Sequence, residues 1–259
     1  LNEPLKPGDT TYISTPFRVQ VPKGEISRLG SNGKSFQISQ WYPKPAVYDQ
    51  DGWHPMSYLD QGEFYSEFGT YDVSITLPES YTVAATGALQ TIEELQRLER
   101  IANDTIQLDT LAGEKISDSP GSTKLKTLRY TSQSMHDFAW FADPDFHVTK
   151  ETVTLPESGR KVIIYALFTD HQAELWEHAL SYASEALLTF SKWIGDYPYS
   201  SFTVVQTKLK SGLGMEYPSL AVIVDASDAY SLDKVITDEN WNNWFYAALA
   251  SNERLTLSL

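Results

Sequence analysis

Apolar and polar positions change rhythm along this chain. Toward the start they alternate with period two, the pattern of strands with one buried face. Thr11-Tyr12-Ile13-Ser14 and Phe17-Arg18-Val19-Gln20-Val21 read as strands, punctuated by Pro16, Pro22 and Gly24. Phe36 to Trp41 alternates again, and a Pro-, Tyr- and Trp-rich loop is expected from Tyr42 to Tyr65. Tyr71 to Leu77 is the clearest alternating run. Pro78-Glu79-Ser80 is expected to turn it and Tyr81 to Ala85 to return it, with a stop at Thr86-Gly87. Ile92, Leu95, Leu98 and Ile101 stand at helical spacing among charged residues, which suits a short surface helix or a charged excursion over 91–101. Residues 103–124 are polar and turn-rich, and strands resume at 125–130 and 162–167.

The rhythm then becomes helical. Thr169-Asp170-His171-Gln172 has the form of a capping box, in which hydroxyl and amide each satisfy a free backbone N–H. Trp176, Ala179, Leu180, Ala183, Leu187, Phe190 and Ile194 recur at steps of three and four, predicting one long helix that Gly195 ends. Strands are expected at 202–205 and 220–224, and a second helix from Leu232 to Leu249. The fold class is therefore α+β: an antiparallel β-saddle or sandwich domain over 1–155, then an α/β domain over 156–259.

Composition narrows the function. The chain has 259 residues, with 20 Lys and Arg against 34 Asp and Glu, a net charge of −14. No basic stripe exists for nucleic acid or an anionic membrane surface. Hydrophobic residues make up 41%, enough to build a core. Cysteine is absent, which excludes disulfides, thiolate zinc sites and cysteine nucleophiles. No run of about 18 apolar residues predicts a transmembrane segment, and Leu1 to Gly8 lacks the apolar core of a signal peptide.

Candidate chemistry lies near the end of the chain. Val235, Asp238, Asn242, Phe245 and Leu249 share one helical face, so two polar residues interrupt an apolar stripe. Such a pair is hydrogen-bonded, or the face is partly exposed, or it holds ligands at i and i+4 with Glu239 beside them. In Gly212-Leu213-Gly214-Met215-Glu216-Tyr217-Pro218, the glycines open the main chain to an extended peptide and Glu216 can hold a cation such as a free amine. The competing reading is a hairpin turn with a solvent-exposed Glu. Neither a lysine nor a helix follows, so it is not a phosphate loop. Of the histidines at 54, 136, 147, 171 and 178, only His171 and His178 share a predicted helix, at a spacing that suits a surface stripe more than a metal. Tyr42, Tyr48, Trp53 and Tyr58 suit either a sugar platform or loop packing.

Taken together, these segments resemble the aminopeptidase N family of zinc metallopeptidases, especially its bacterial members. Ser39-Gln40-Trp41-Tyr42-Pro43-Lys44 through Gly52-Trp53-His54, and Tyr71-Asp72-Val73 through Ala84-Ala85-Thr86-Gly87, resemble its β-saddle domain. His136 to Ala142 resembles the close of that domain, and Gly214-Met215-Glu216-Tyr217-Pro218 its exopeptidase motif, whose Glu grips the substrate α-amine. Val235-Ile236-Thr237, Asn243-Trp244-Phe245-Tyr246 and Ser251-Asn252-Glu253-Arg254 resemble the flanks of its zinc helix. The resemblance implies a saddle, incomplete at its start, followed by the first part of a thermolysin-like domain. It implies peptide substrates, zinc in intact relatives, Glu239 as general base and Glu216 as amine anchor. Bacterial members favour a periplasmic, envelope or secreted location.

One departure governs the activity expected. Where the family carries H-E-x-x-H, this chain reads Asp238-Glu239-Asn240-Trp241-Asn242. The Glu survives and both histidines are replaced. An Asn amide is a poor zinc ligand, and the third family ligand would fall past Leu259. The expectation is a chain without catalytic zinc that does not hydrolyse peptides. The alternative is a non-catalytic peptide-binding or assembly module, with a homo-oligomer or partner possible over exposed Trp241, Trp244 and Phe245.

Overall fold

The alternating run at Tyr71 folds into a long strand, but its neighbours differ from the sequence expectation. The computed structural model describes residues 4–24, 28–57, 64–108, 124–208, 212–249 and 252. The strands are β1 (Gly30–Asn32), β2 (Ser35–Ile38), β3 (Val47–Asp49), β4 (Gly52–His54), β5 (Gly69–Pro78), β6 (Thr82–Ala85), β7 (Ala88–Leu89), β8 (Leu125–Met135), β9 (Trp140–Asp143), β10 (His147–Thr154), β11 (Lys161–Phe168), β12 (Ser201–Thr207), β13 (Gly214–Tyr217) and β14 (Leu220–Val224). The helices are α1 (Ile92–Leu108), α2 (Ala173–Trp176), α3 (Ala179–Trp193) and α4 (Ala229–Leu249).

β5 pairs with β8, not with β6, while β6 pairs with β9 in a different sheet. Burial explains the switch. Thr82, Val83, Ala84 and Ala85 are all buried, so β6 needs cover on both faces, whereas β5 alternates as an outer strand does. The sheets run β1-β2-β9-β6 and β5-β8-β7, and β3-β4 forms a separate hairpin inside the expected loop. Residues 10–21, expected as strands, form none. Tyr12 is 94% and Ile13 80% exposed, and only past this stretch does the chain touch a sheet edge through its main chain, with Lys23 bridged to Ser31 of β1 and the Ser31 N–H donating to Pro22 O at 2.9 Å. Alternation makes a strand only where an edge accepts it, and Pro16 and Pro22 lack the N–H a ladder requires.

The last sheet is mixed, in the order β10-β11-β12-β14-β13, with β11, β12 and β14 parallel and both edges antiparallel. β10 lies on the N-terminal side of residue 156 but pairs along its length with β11. Period two divides this sheet's side chains between two cores. Ile164, Val204 and Ile223 face Trp176, Leu187, Phe190, Leu232 and Ile236 of the helices. Leu167, Val205 and Val222, with Val148 beside them, face Leu98 and Phe141 on the other side.

The predicted long helix is broken into a short 3₁₀ turn over Asp170–Gln172, then α2 and α3. The capping box does not form, because tertiary partners claim both of its ends. The Thr169 N–H and hydroxyl donate to Gln206 Oε1 at 2.8 and 3.1 Å. Gln172 exchanges hydrogen bonds with the Ala226 backbone at 2.8 and 3.2 Å. Gly195 ends α3 as expected, at φ 129°. Among the described residues no helix is long and apolar enough to cross a membrane.

Candidate functional site

Two elements build the site: the edge strand β13 and the helix α4. Asp228 starts α4 by accepting the Ser231 N–H at 2.8 Å, and this bond helps hold the Asp228 carboxyl below its usual range. β13 is reached through Gly212, which adopts φ 69°. It turns into β14 at Pro218-Ser219, with Tyr217 opposite Leu220. Ser219 sits at φ 63°, where a side chain is strained. Three hydrogen bonds hold it there. Its N–H donates to Asn243 Oδ1 at 2.9 Å, its carbonyl accepts from the Thr203 N–H at 3.0 Å, and its hydroxyl accepts from the Gly87 N–H at 2.9 Å. One turn residue thus ties together α4, β12 and the loop after β6.

The hydrogen-bond alternation of the hairpin sets which groups face outward. The Val224 N–H donates to Leu213 O at 3.0 Å. Leu213, Met215 and Tyr217 therefore bond to β14, while Gly214 and Glu216 turn their N–H and C=O to the outer edge. Side chains alternate as well. Met215 and Tyr217 pack into the core with Phe141 and Val205. Gly214 and Glu216 share the face toward α4, where a β-carbon on Gly214 would meet the Glu239 side chain. Glu216 and Glu239 are 7% and 8% exposed, so the solvent-exposed reading of Glu216 does not hold.

The structure thus gathers Gly214, Glu216 and Glu239, with Gly212 leading into the strand, while the Met215 side chain faces the core on the other side of β13. Asp238 and Asn242 stand apart. Asp238 is exposed and Asn242 half-buried, and neither side chain has a hydrogen-bond or ion-pair partner among the described residues. The expected stripe through Val235, Asp238, Asn242, Phe245 and Leu249 is not the buried face, since Leu249 is 63% exposed. The buried face runs through Leu232, Ile236, Glu239, Asn240, Asn243 and Ala247. Trp244 is buried and donates to Gly195 O at 3.0 Å, contrary to its expected exposure, while half-buried Trp241 and Phe245 stack at 4.4 Å.

Sequence reasoning passed over Asn243 and Asn240. Asn243 Oδ1 also accepts from the Tyr197 hydroxyl at 3.3 Å, and its amide donates to Glu239 O at 3.1 Å. Asn240 donates to Ala183 O on α3 at 3.1 Å. An Asn pair at i and i+3 on a helix carries no signal until the buried face is known. The candidate sugar platform is dispersed: Tyr42 lies in a polar cluster with Tyr71 and Asp137, Tyr48 and Trp53 project from the β3–β4 hairpin, and Tyr58 lies outside the described residues.

Among the described residues no group of three or more His, Asp or Glu side chains is gathered to hold a metal. At the family's ligand positions stand an exposed carboxylate, Asp238, and a neutral amide, Asn242.

No protein-family model and no curated protein matches the sequence. Solved structures do match the fold. Aminopeptidase A of Legionella pneumophila, solved with aspartic acid, aligns over 85% of this chain and 23% of its own, at 12% identity and TM-score 0.56. A variant M1 zinc metallopeptidase of Deinococcus radiodurans aligns over 88% of this chain and 46% of its own, at 16% identity and TM-score 0.54. The chain therefore has the fold of part of these two proteins, and spans less than half of their length.

Proposed function

We propose that this chain is a peptide-binding relative of the zinc aminopeptidases that takes the amino end of an extended peptide along the outer edge of β13 and does not hydrolyse it. The observation that carries this reading is the placement of buried Glu216 on an edge strand whose outward main-chain groups belong to Gly214 and Glu216. Added strand pairing supplies affinity without regard to sequence. A carboxylate in a low-dielectric site selects an ammonium, which fixes the peptide's end and direction. Aminopeptidase activity in the matching structures makes a free amino terminus the ligand class to test. The same residues give no route to a metal-activated water, because only Glu239 of the zinc motif remains.

Fluorescence anisotropy with a labelled tetrapeptide, free or acetylated at its amine, tests the binding. The free amine is expected to bind at least tenfold more tightly, and Glu216→Gln to remove that difference. Equal affinity for the two peptides would overturn the assignment of Glu216. Turnover of an aminoacyl anilide with stoichiometric zinc would overturn the non-hydrolytic part.

A further inference from the structure

Away from this site, a small cavity lies at the seam between the four-stranded sheet and the end of the mixed sheet. Gln37, Asp143, Thr169, Gln206 and Thr207 line it, with Lys208 beside them, and it offers about 10 Å³ to the centre of a water-sized sphere. That is about the space of one water molecule. Gln37 is 2% exposed. Its Oε1 accepts from the Thr207 hydroxyl at 2.8 Å, while its Nε2 is buried without a hydrogen-bond partner among the described residues. Asp143, also 2% exposed, accepts from the Ser35 hydroxyl and from the Asp145 N–H. It has no ion-pair partner among the described residues. A carboxylate has about four acceptor positions, so its capacity is not exhausted.

The cavity thus presents a donor with no acceptor and an acceptor able to take another donor. A metal cation or ammonium would serve the carboxylate but repel the amide N–H. An anion would serve the amide but not Asp143. A water both accepts and donates. We infer that one ordered water is bound here, accepting from Gln37 Nε2 and donating to the Asp143 carboxylate. It acts as a rivet between β2, β9 and the end of β12. Through the Gln37–Thr207 bond it fixes the point where β12 leaves its sheet toward Gly212 and the edge strand.

Oxygen-17 magnetic relaxation dispersion counts long-lived internal waters and needs no crystal. Gln37→Met removes the inward N–H at similar volume, and is expected to lose one long-lived water relative to the native chain. An unchanged count overturns the inference. If the variant does not fold, a high-resolution crystal structure of the native chain decides. A density peak about 2.7–3.2 Å from both Gln37 Nε2 and an Asp143 oxygen supports the water. No peak, or a peak about 2.4 Å from several oxygens as a cation requires, overturns it.

Discussion

A β-carbon placed on Gly214 would lie 2.5 Å from Glu239 Oε1 and 2.9 Å from its Cγ and Cδ, so the edge strand and the helix meet through a glycine. Glu239 is 8% exposed and cannot swing freely into water. Gly214→Ala is expected to push Glu239 off its position and cost about 1–3 kcal/mol, the range for overpacking. Shortening the neighbour should relieve the clash. Gly214→Ala/Glu239→Ala should therefore be more stable than the sum of its single variants, by at least about 0.5 kcal/mol in urea titrations. Simple additivity would mean that the two residues are not in contact.

Asn242 and Asn243 are adjacent in sequence and opposite in consequence. Asn243 is fully buried and holds the strained turn by accepting the Ser219 N–H, whereas the Asn242 side chain has no partner among the described residues. Asn243→Ala strands that N–H and the Tyr197 hydroxyl, and is expected to cost about 2–4 kcal/mol. Asn242→Ala should change stability by no more than about 0.5 kcal/mol. Chemical denaturation of the two variants side by side measures the contrast, and similar losses would refute the assignment of faces on α4.

That contrast also marks the limit of reading the sequence. Strands with one buried face, such as β5, were legible because a period of two survives without knowledge of the partner. Their pairing was not: the turn at Pro78 suggested a hairpin, and only the two-sided burial of β6 sends it to another sheet. The stretches at 11–14 and 17–21 had the same period and formed no strand. Helix breaks at 169–178 were hidden because Thr169 and Gln172 make their bonds with residues distant in sequence. At the site, Gly212 to Tyr217 was legible as an edge segment. On α4 the apolar positions allowed two stripes one step apart, and the chosen one is a partly exposed face.

The buried ion pair of Lys44 and Asp137, at 3.1 Å, should respond asymmetrically to the loss of either partner. Asp137 also accepts from the Gln40 amide, from the Tyr42 hydroxyl at 3.2 Å and from the Phe138 N–H at 2.7 Å. Tyr42 stays protonated as a donor, since burial first, and then the Asp137 charge, push its pKa far above the usual phenol range. Without Lys44, the carboxylate keeps three donors. Without Asp137, the Gln40 amide, the phenol and a backbone N–H all lose their acceptor, and the ammonium loses its counter-charge. Asp137→Ala is expected to cost about 3–5 kcal/mol, and Lys44→Met less than half of that by the same urea assay. The reverse order would show that Lys44 carries the cluster.

His136 gives the fold an acid-sensitive joint. It is 1% exposed, and its ring packs edge-on at 4.8 Å from Tyr246 of α4 and at 5.9 Å from Phe68. Burial lowers its pKa from 6.5 to about 4; neighbouring Asp137 opposes the shift and Lys44 adds to it. Between these values the unfolded chain binds a proton that the folded chain refuses. Stability attributable to this residue is therefore fully present above about pH 6.5 and declines as pH falls toward 4, below which both states are protonated. A difference of about 2.5 pKa units corresponds to roughly 3 kcal/mol across that window. His136→Phe keeps a ring against Tyr246 and removes the titration. The variant should gain on the native chain as pH falls from 7 to 4.5, when urea midpoints are compared at constant ionic strength. Parallel pH profiles for the two proteins would mean that His136 already takes a proton in the folded state, and that the joint with α4 is open to water.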